Sequence, residues 1–182
     1  MPKEFVFYAI TLVFVVISRA SLRKPGSHGF YRFIAWEFML GIFVLNMDVW
    51  YAELNSIHQY IARIMIATSL FLALTGLGLL QQFGNSDTHR NDAPMLEFEK
   101  TTKLVTSGIY QYIRHPLYSS LFFLCWGFFF KQPSLAGGFL AVIACGFLVA
   151  AARAEEIENA RYFGDQYRQY MNRTKMFIPF IL

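Results

Sequence analysis

Five runs of apolar residues, separated by polar links, constrain this chain more than any other feature. They cover residues 5–18, 33–49, 64–80, 117–130 and 135–152. A helix needs roughly 20 residues to cross about 30 Å of hydrocarbon at about 1.5 Å per residue. The runs come close to that length, and flanking residues or tilt complete the shorter first and fourth. Hydrophobic residues reach 55% of the chain and charged residues only 15%, against about 45–50% and 25% in soluble domains. A soluble fold of 182 residues cannot hide that much apolar surface. The expected fold is all-α and integral to the membrane: one domain, about five transmembrane helices and a cytoplasmic C-terminal helical extension.

The basic residues orient those helices. Arg19, Arg23, Lys24 and Arg32 fall between runs one and two, and Arg90, Lys100, Lys103 and Arg114 between three and four. Arg153, Arg161, Arg168, Arg173 and Lys175 follow run five, which leaves Lys3, Arg63 and Lys131 on the other side. The positive-inside rule makes the rich side cytoplasmic, with the N-terminus outside and the C-terminus inside. A multi-pass protein of a bacterial or archaeal inner membrane is expected. The first run is read as a retained helix and not a cleaved leader, because its basic residues follow the apolar stretch. The net charge of +4 then reports topology and anionic headgroups, and no nucleic-acid signature accompanies it.

Two polar clusters sit at the mouths of apolar runs on this one side. Arg114-His115-Pro116 leads straight into the fourth run, and Arg153-Ala-Glu155-Glu156 follows the fifth. They can face one another at the bilayer surface, which is an active-site arrangement. The polar stretch 84–103 is longer than a simple helix connection, and such loops tend to be lids or binding elements. Residues 95–99 are expected to be extended and Gly108 to make a turn. Tyr110–Arg114 should begin helix four, with Pro116 in its first turn, where a missing N–H costs little. Helix five should run on past the membrane to Gly164. Residues 165–172 should then form an amphipathic helix, with Tyr167 and Tyr170 at headgroup level. The apolar residues 176–182 should tuck against the membrane and roof a pocket.

Several other residues invite a choice. Cys125 and Cys145 lie within apolar runs and are read as packing residues. Glu37 and Asp48 fall in the second run, where ionisable groups are functional candidates by default. An interfacial position explains Asp48, and a structural pair with Arg32 is expected for Glu37. Gly76-Leu-Gly78 should allow close helix packing. Glu155 and Glu156 are about 100° apart on a helix, so both cannot face one pocket squarely. A solvated face, with Glu155 toward Asn159 and Arg153 paired to Glu156, competes with a binding role.

Lys103-Leu-Val-Thr-Ser-Gly-Ile-Tyr110, Arg114-His-Pro-x-Tyr118, Glu155-Glu156, Phe163-Gly-x-x-Tyr167-x-x-Tyr170 and Thr174-x-x-x-Ile178-Pro179 occur in order. In these elements the chain resembles the integral-membrane methyltransferases, a group that includes the isoprenylcysteine carboxyl methyltransferases and the related phospholipid methyltransferases. The resemblance covers residues 84–182; the first three helices (residues 1–83) match in hydropathy alone. It implies that S-adenosylmethionine binds at the cytoplasmic face, beneath the long loop and the C-terminal tail. Cofactor contacts are implied at Leu104, Val105, Tyr110, His115, Pro116, Tyr118 and Glu155. Arg114 and Arg153 are candidates to orient an acidic acceptor group, and Glu156 to serve as a base for an amine. Thr102 stands where prenylcysteine enzymes often have histidine, and Ala151 where they carry a substrate-binding arginine. The acceptor is expected to be lipophilic, entering from the bilayer, with carboxyl, amine and thiol groups all open.

The chemistry fits those residue types. Methyl transfer from a sulfonium is an in-line displacement needing a desolvated, aimed nucleophile. Carboxylates suit the ribose hydroxyls or the ammonium, and aromatic faces suit the cation and the adenine. No Gly-rich strand–helix loop marks a soluble dinucleotide-type fold. A sterol-reductase-like protein using a reduced nicotinamide is one alternative, and a phospholipid N-methyltransferase another. A non-catalytic lipid-binding protein is a further rival. A diiron enzyme is set aside because His28, His58, His89 and His115 are scattered singly; no metal is expected.

Overall fold

The computed structural model describes residues 2–85 and 94–179. Their helices are α1 (Lys3–Leu22), α2 (His28–Leu45), α3 (Ile57–Phe83), α4 (Pro116–Phe129), α5 (Leu135–Phe163) and α6 (Asp165–Arg173). No β-strand occurs among the described residues; a single bridge joins Ile113 and Lys175. The expected all-α class is what the described residues form. The loop residues Ser86, Asp87, Arg90, Asn91 and Asp92 and the tail residues 180–182 lie outside the described residues.

Local chemistry starts and stops these helices. The Ser27 side chain accepts from the Phe30 amide at the head of α2, and Ser134 does the same for Gly137 at the head of α5; both satisfy donors a helix leaves open. Pro116 occupies the first turn of α4. Gly164 closes α5 at φ +62°, a left-handed conformation that glycine adopts without steric cost.

α1, α3 and α5 are long and apolar enough to cross a membrane. α4 is shorter, with 14 residues, and the 18 residues of α2 include Arg32 and Glu37. Leu12, Val16, Leu70, Leu74, Phe139 and Val142 all stand exposed on the outer faces of the long helices. Such a surface suits lipid and not water. This is a membrane protein.

α2 packs on α5, α3 on α4 and α1 on α2. One buried core gathers Ala35, Tyr118, Leu148, Ala151, Ala152 and Phe177; a second gathers Met39, Ile42, Cys125, Ala141 and Ala144. Cys125 and Cys145 are both free, in keeping with a packing role. A Cβ on Gly76 would sit 3.2 Å from Pro116 Cγ, so this glycine does allow close packing of α3 on α4, whereas Gly78 faces open space.

Several local expectations need correction. Residues 95–99 are not extended: Glu97–Glu99 form a 3-10 turn. Gly108–Gln111 form another, with Gly108 at φ +59°, so α4 begins at Pro116 and not at Tyr110. The residue before a proline is pushed from helical geometry, which breaks the chain at His115. Glu37 does not pair with Arg32. Its Oε2 accepts from Thr11 Oγ1 of α1 at 2.8 Å, while Arg32 pairs with Glu99. Five residues on a helix are about 140° apart, so the two side chains leave α2 on different faces. Tyr167 and Tyr170 are buried, turned inward into the protein and not outward to headgroups.

Candidate functional site

The Arg-His-Pro corner is held by the chain's own tail. The amide of Arg114 donates to the Lys175 carbonyl at 2.7 Å, that of His115 to Met176 at 3.1 Å, and that of Lys175 to Tyr112 at 3.0 Å. Ser119 Oγ donates to the Phe177 carbonyl at 2.8 Å, and Tyr170 Oη to the Tyr110 carbonyl at 2.6 Å. Residues 174–177 are thereby laced to residues 112–115, satisfying backbone groups that no helix serves.

Arg114 binds this corner to α5. Its Nε donates to Glu156 Oε1 at 2.6 Å, and its Nη1 donates to the carbonyls of Met171 and Thr174. His115 Nε2 lies 3.4 Å from the same Glu156 oxygen without hydrogen-bond geometry. Burial would raise the Glu156 carboxyl, but His115 and Arg114 outweigh it and hold it below its ordinary value. Glu156 is therefore an ionised partner of Arg114; Arg153, one candidate partner for it from the sequence, has no ion pair among the described residues.

Between corner, loop and α5 lies a cavity of about 240 Å³. Leu104, Val105, Tyr110, Arg114, His115, Pro116, Tyr118 and Glu155 all line it. All seven positions at which the sequence implies cofactor contact thus meet around one hollow. Glu156 and Arg153 are not in its wall: Glu156 is turned to Arg114, and Arg153 lines a separate hollow on another face of α5. Rotation of about 200° separates positions 153 and 155 on a helix, so both cannot reach one cavity. Glu155 Oε1 accepts from Asn159 Nδ2 at 3.4 Å, one turn along α5. Burial pushes the hydroxyls of Tyr110 and Tyr167 above their usual range, and the Glu155 charge adds to it. Both remain protonated donors.

A second set of residues, not anticipated as a site, closes the other wall. Arg32 Nη1 pairs with Glu99 Oε1. His28 Nε2 stands 3.3 Å from Glu99 Oε2, and its Nδ1 2.5 Å from Glu158 Oε2. Burial would lower the imidazole, yet the Glu158 and Glu99 carboxylates prevail and push it up to about 10. Glu99, opposed by burial but facing Arg32 and His28, is held down to about 2. The charged cluster clamps residues 96–101 of the long loop against α2 and α5. The i, i+4 spacing of His28 and Arg32 at the head of an apolar run was the one sequence signal for it.

Polar atoms lacking partners point to a ligand. The Tyr118 hydroxyl and Arg32 Nε are buried without a hydrogen-bond partner, and both residues line the cavity. Leaving such a group unsatisfied costs about 1–3 kcal/mol. Donors, two carboxylates (Glu155, and Glu99 already held by Arg32 and His28) and aromatic faces make a set that fits a cofactor bearing hydroxyls, an adenine and a cation.

A family model described as phospholipid methyltransferase matches residues 57–166, from the start of α3 into α6. The chain belongs to the phospholipid methyltransferase family. Among the relatives of this phospholipid methyltransferase family member, methanethiol S-methyltransferase of Crocosphaera subtropica is 27% identical over 81% of this chain and 56% of its own length. Protein-S-isoprenylcysteine O-methyltransferase B of Arabidopsis thaliana is 37% identical over 46% of this chain and 43% of its own. The human protein-S-isoprenylcysteine O-methyltransferase is 30% identical over 61% of this chain and 42% of its own. The chain spans about half the length of the curated relatives it matches. No solved structure matches it.

Proposed function

We propose that the chain is a membrane methyltransferase that binds S-adenosylmethionine in the central cavity and methylates a lipid-like acceptor. The observation that carries this reading is the meeting of Glu155 from α5 with the six motif positions of residues 104–118, and the unpartnered Tyr118 hydroxyl, around one hollow. S-adenosylmethionine, when bound, supplies a methyl group on a positively charged sulfur. Glu155 is the one carboxylate from α5 in the wall, suited to hydroxyls or an ammonium, and Tyr110, Tyr118, Tyr167 and Tyr170 supply aromatic faces. Leu96, Phe98 and Val105 keep water from the reacting groups.

The acceptor reaches the cavity from the bilayer. A second hollow, wholly apolar in its walls, lies between α1, α2 and α4 beside Ile10, Phe14, Met39 and Phe128. Trp36 and Leu121 line both hollows, so a long apolar chain held in one presents its head to the other. This feature favours a lipid-like acceptor over a small thiol, although relatives carry names for both. Arg32, stacked 5.1 Å over the Trp36 ring, stands at that junction with Nε unpartnered. It is better placed than Arg114, which has three partners, to orient an acidic acceptor group.

Five helices cross the membrane in this reading, α2 and α4 among them, with the site at the cytoplasmic face and the N-terminus outside. Lys3, Asp48 and Lys131 cluster at the opposite end: Lys3 pairs with Asp48 at 2.7 Å, and Lys131 Nζ reaches the Trp50 carbonyl at 3.2 Å. The whole chain acts as one domain. Purified protein in detergent should bind S-adenosylmethionine in calorimetry and transfer labelled methyl groups to a component of a total lipid extract. Absence of saturable binding would end this reading.

A further inference from the structure

On the other face of α5 lies a larger hollow, about 680 Å³, walled by the link between α1 and α2 and by the cytoplasmic part of α5. Lys24, Arg153 and Arg161 line it; all three are exposed, and none has an ion pair among the described residues. One carboxylate, Glu158, shares the wall. Its charge is taken up by His28 Nδ1 at 2.5 Å, and its side chain is only 14% exposed. Three cations therefore surround a space whose single anion is already neutralised from behind.

The approach to this space is apolar. Phe139, Val142, Gly146, Ala150, Arg153, Ile157 and Arg161 succeed one another at intervals of three or four residues and so form one stripe along α5. Phe139, Val142 and Ile157 are exposed, by 69%, 62% and 55%. A Cβ on Gly146 would meet nothing within 4 Å, so the stripe is indented at its middle. The helix surface thus changes from a lipid-facing track to paired arginines within two turns. A preference for positive residues on one side of the membrane explains cations there. It does not explain three of them gathered around a hollow, whose one carboxylate is held by His28, at the end of an indented apolar track.

We propose that this hollow is a binding site for an anionic phospholipid, its phosphate between Lys24, Arg153 and Arg161 and an acyl chain along Ala150, Gly146 and Val142. The guanidinium groups of Arg153 and Arg161 suit phosphate oxygens bidentately, and Lys24 adds a point charge. The site is separate from the central cavity and independent of methyl transfer.

The test uses the full chain in detergent micelles and native mass spectrometry with dioleoyl phosphatidylglycerol and dioleoyl phosphatidylcholine. The native protein should retain phosphatidylglycerol at least about tenfold more than phosphatidylcholine, given about 1 kcal/mol for each basic residue near an anionic surface. The triple variant Lys24→Gln, Arg153→Gln, Arg161→Gln should lose that preference. Gly146→Leu, which fills open space and leaves every charge in place, should weaken phosphatidylglycerol retention on its own. Should the triple variant fail to fold, Arg161→Gln and Gly146→Leu carry the same test. Equal retention of the two lipids, an unaltered preference in these variants, or displacement of the lipid by millimolar inorganic phosphate would overturn the proposal.

Discussion

Arg114 Nε and Glu156 Oε1 lie 2.6 Å apart with both side chains about one-tenth exposed, joining the corner before α4 to α5. The same guanidinium holds two carbonyls at the end of α6 and beyond it. One side chain therefore fastens three parts of the chain that meet nowhere else in sequence.

Breaking that pair should be costly. Removing one member of a buried ion pair leaves the other charged and unpaired, at about 3–5 kcal/mol. Glu156→Ala should lower the unfolding temperature markedly in a detergent thermal-shift assay, and Arg114→Ala should do the same. An unchanged unfolding temperature for both would show that the corner is held by the backbone lacing alone.

Glu155→Ala should behave differently. Its side chain is 25% exposed, its contacts with Asn159 and His115 Nδ1 are long at 3.4 and 3.8 Å, and so little of the fold depends on it. A hydrogen bond to a charged partner contributes about 1.5–3 kcal/mol, so calorimetry should show S-adenosylmethionine binding weakened by about tenfold or more. Native affinity would remove Glu155 from the site.

Deleting the chain after Asn172 removes Thr174, Lys175, Met176 and Phe177, and with them the carbonyls that accept from the Arg114 and His115 amides, from Arg114 Nη1 and from Ser119 Oγ. The cofactor should then dissociate faster in a stopped-flow or filter-retention experiment. An unchanged dissociation rate would mean that the tail does not close the cavity.

The His28 cluster should make stability depend on pH. His28 is raised from 6.5 to about 10 in the folded chain. Its stabilisation is fully present below about pH 6.5 and is lost as pH rises through about 10. Glu99, lowered from 4.5 to about 2, contributes above about pH 4.5 and loses its contribution as pH falls toward 2. The unfolding temperature should decline between pH 6.5 and 10 in the native protein, and more weakly in His28→Asn. Parallel curves for the two proteins would place the dependence elsewhere.

Much of this was legible without coordinates. The apolar runs located the long helices because hydrocarbon thickness sets their length. Gly164 marked the end of α5 through its local backbone geometry, whereas the start of α4 was expected at Tyr110 and lies at Pro116. The seven implied cofactor positions came from the family resemblance; six of them lie in the continuous stretch Leu104–Tyr118, and only Glu155 had to arrive from far away. The Glu37 expectation failed for want of α1: nothing local reveals that Thr11 waits on that face.

What the sequence determined by itself was the set of helices, their breaks and the side of the chain where polar groups gather, because these follow from periodicity, hydropathy and turn chemistry over a few residues. Only the tertiary structure decided which neighbour each charge meets: Glu155 to the cavity, Glu156 to Arg114, Arg153 to the outer hollow, and Glu99 to Arg32 and His28. The physical reason is rotational. A helix places successive side chains about 100° apart, and the choice of which one faces inward belongs to the packing of α2 and α4 against α5, which no single stretch of residues contains.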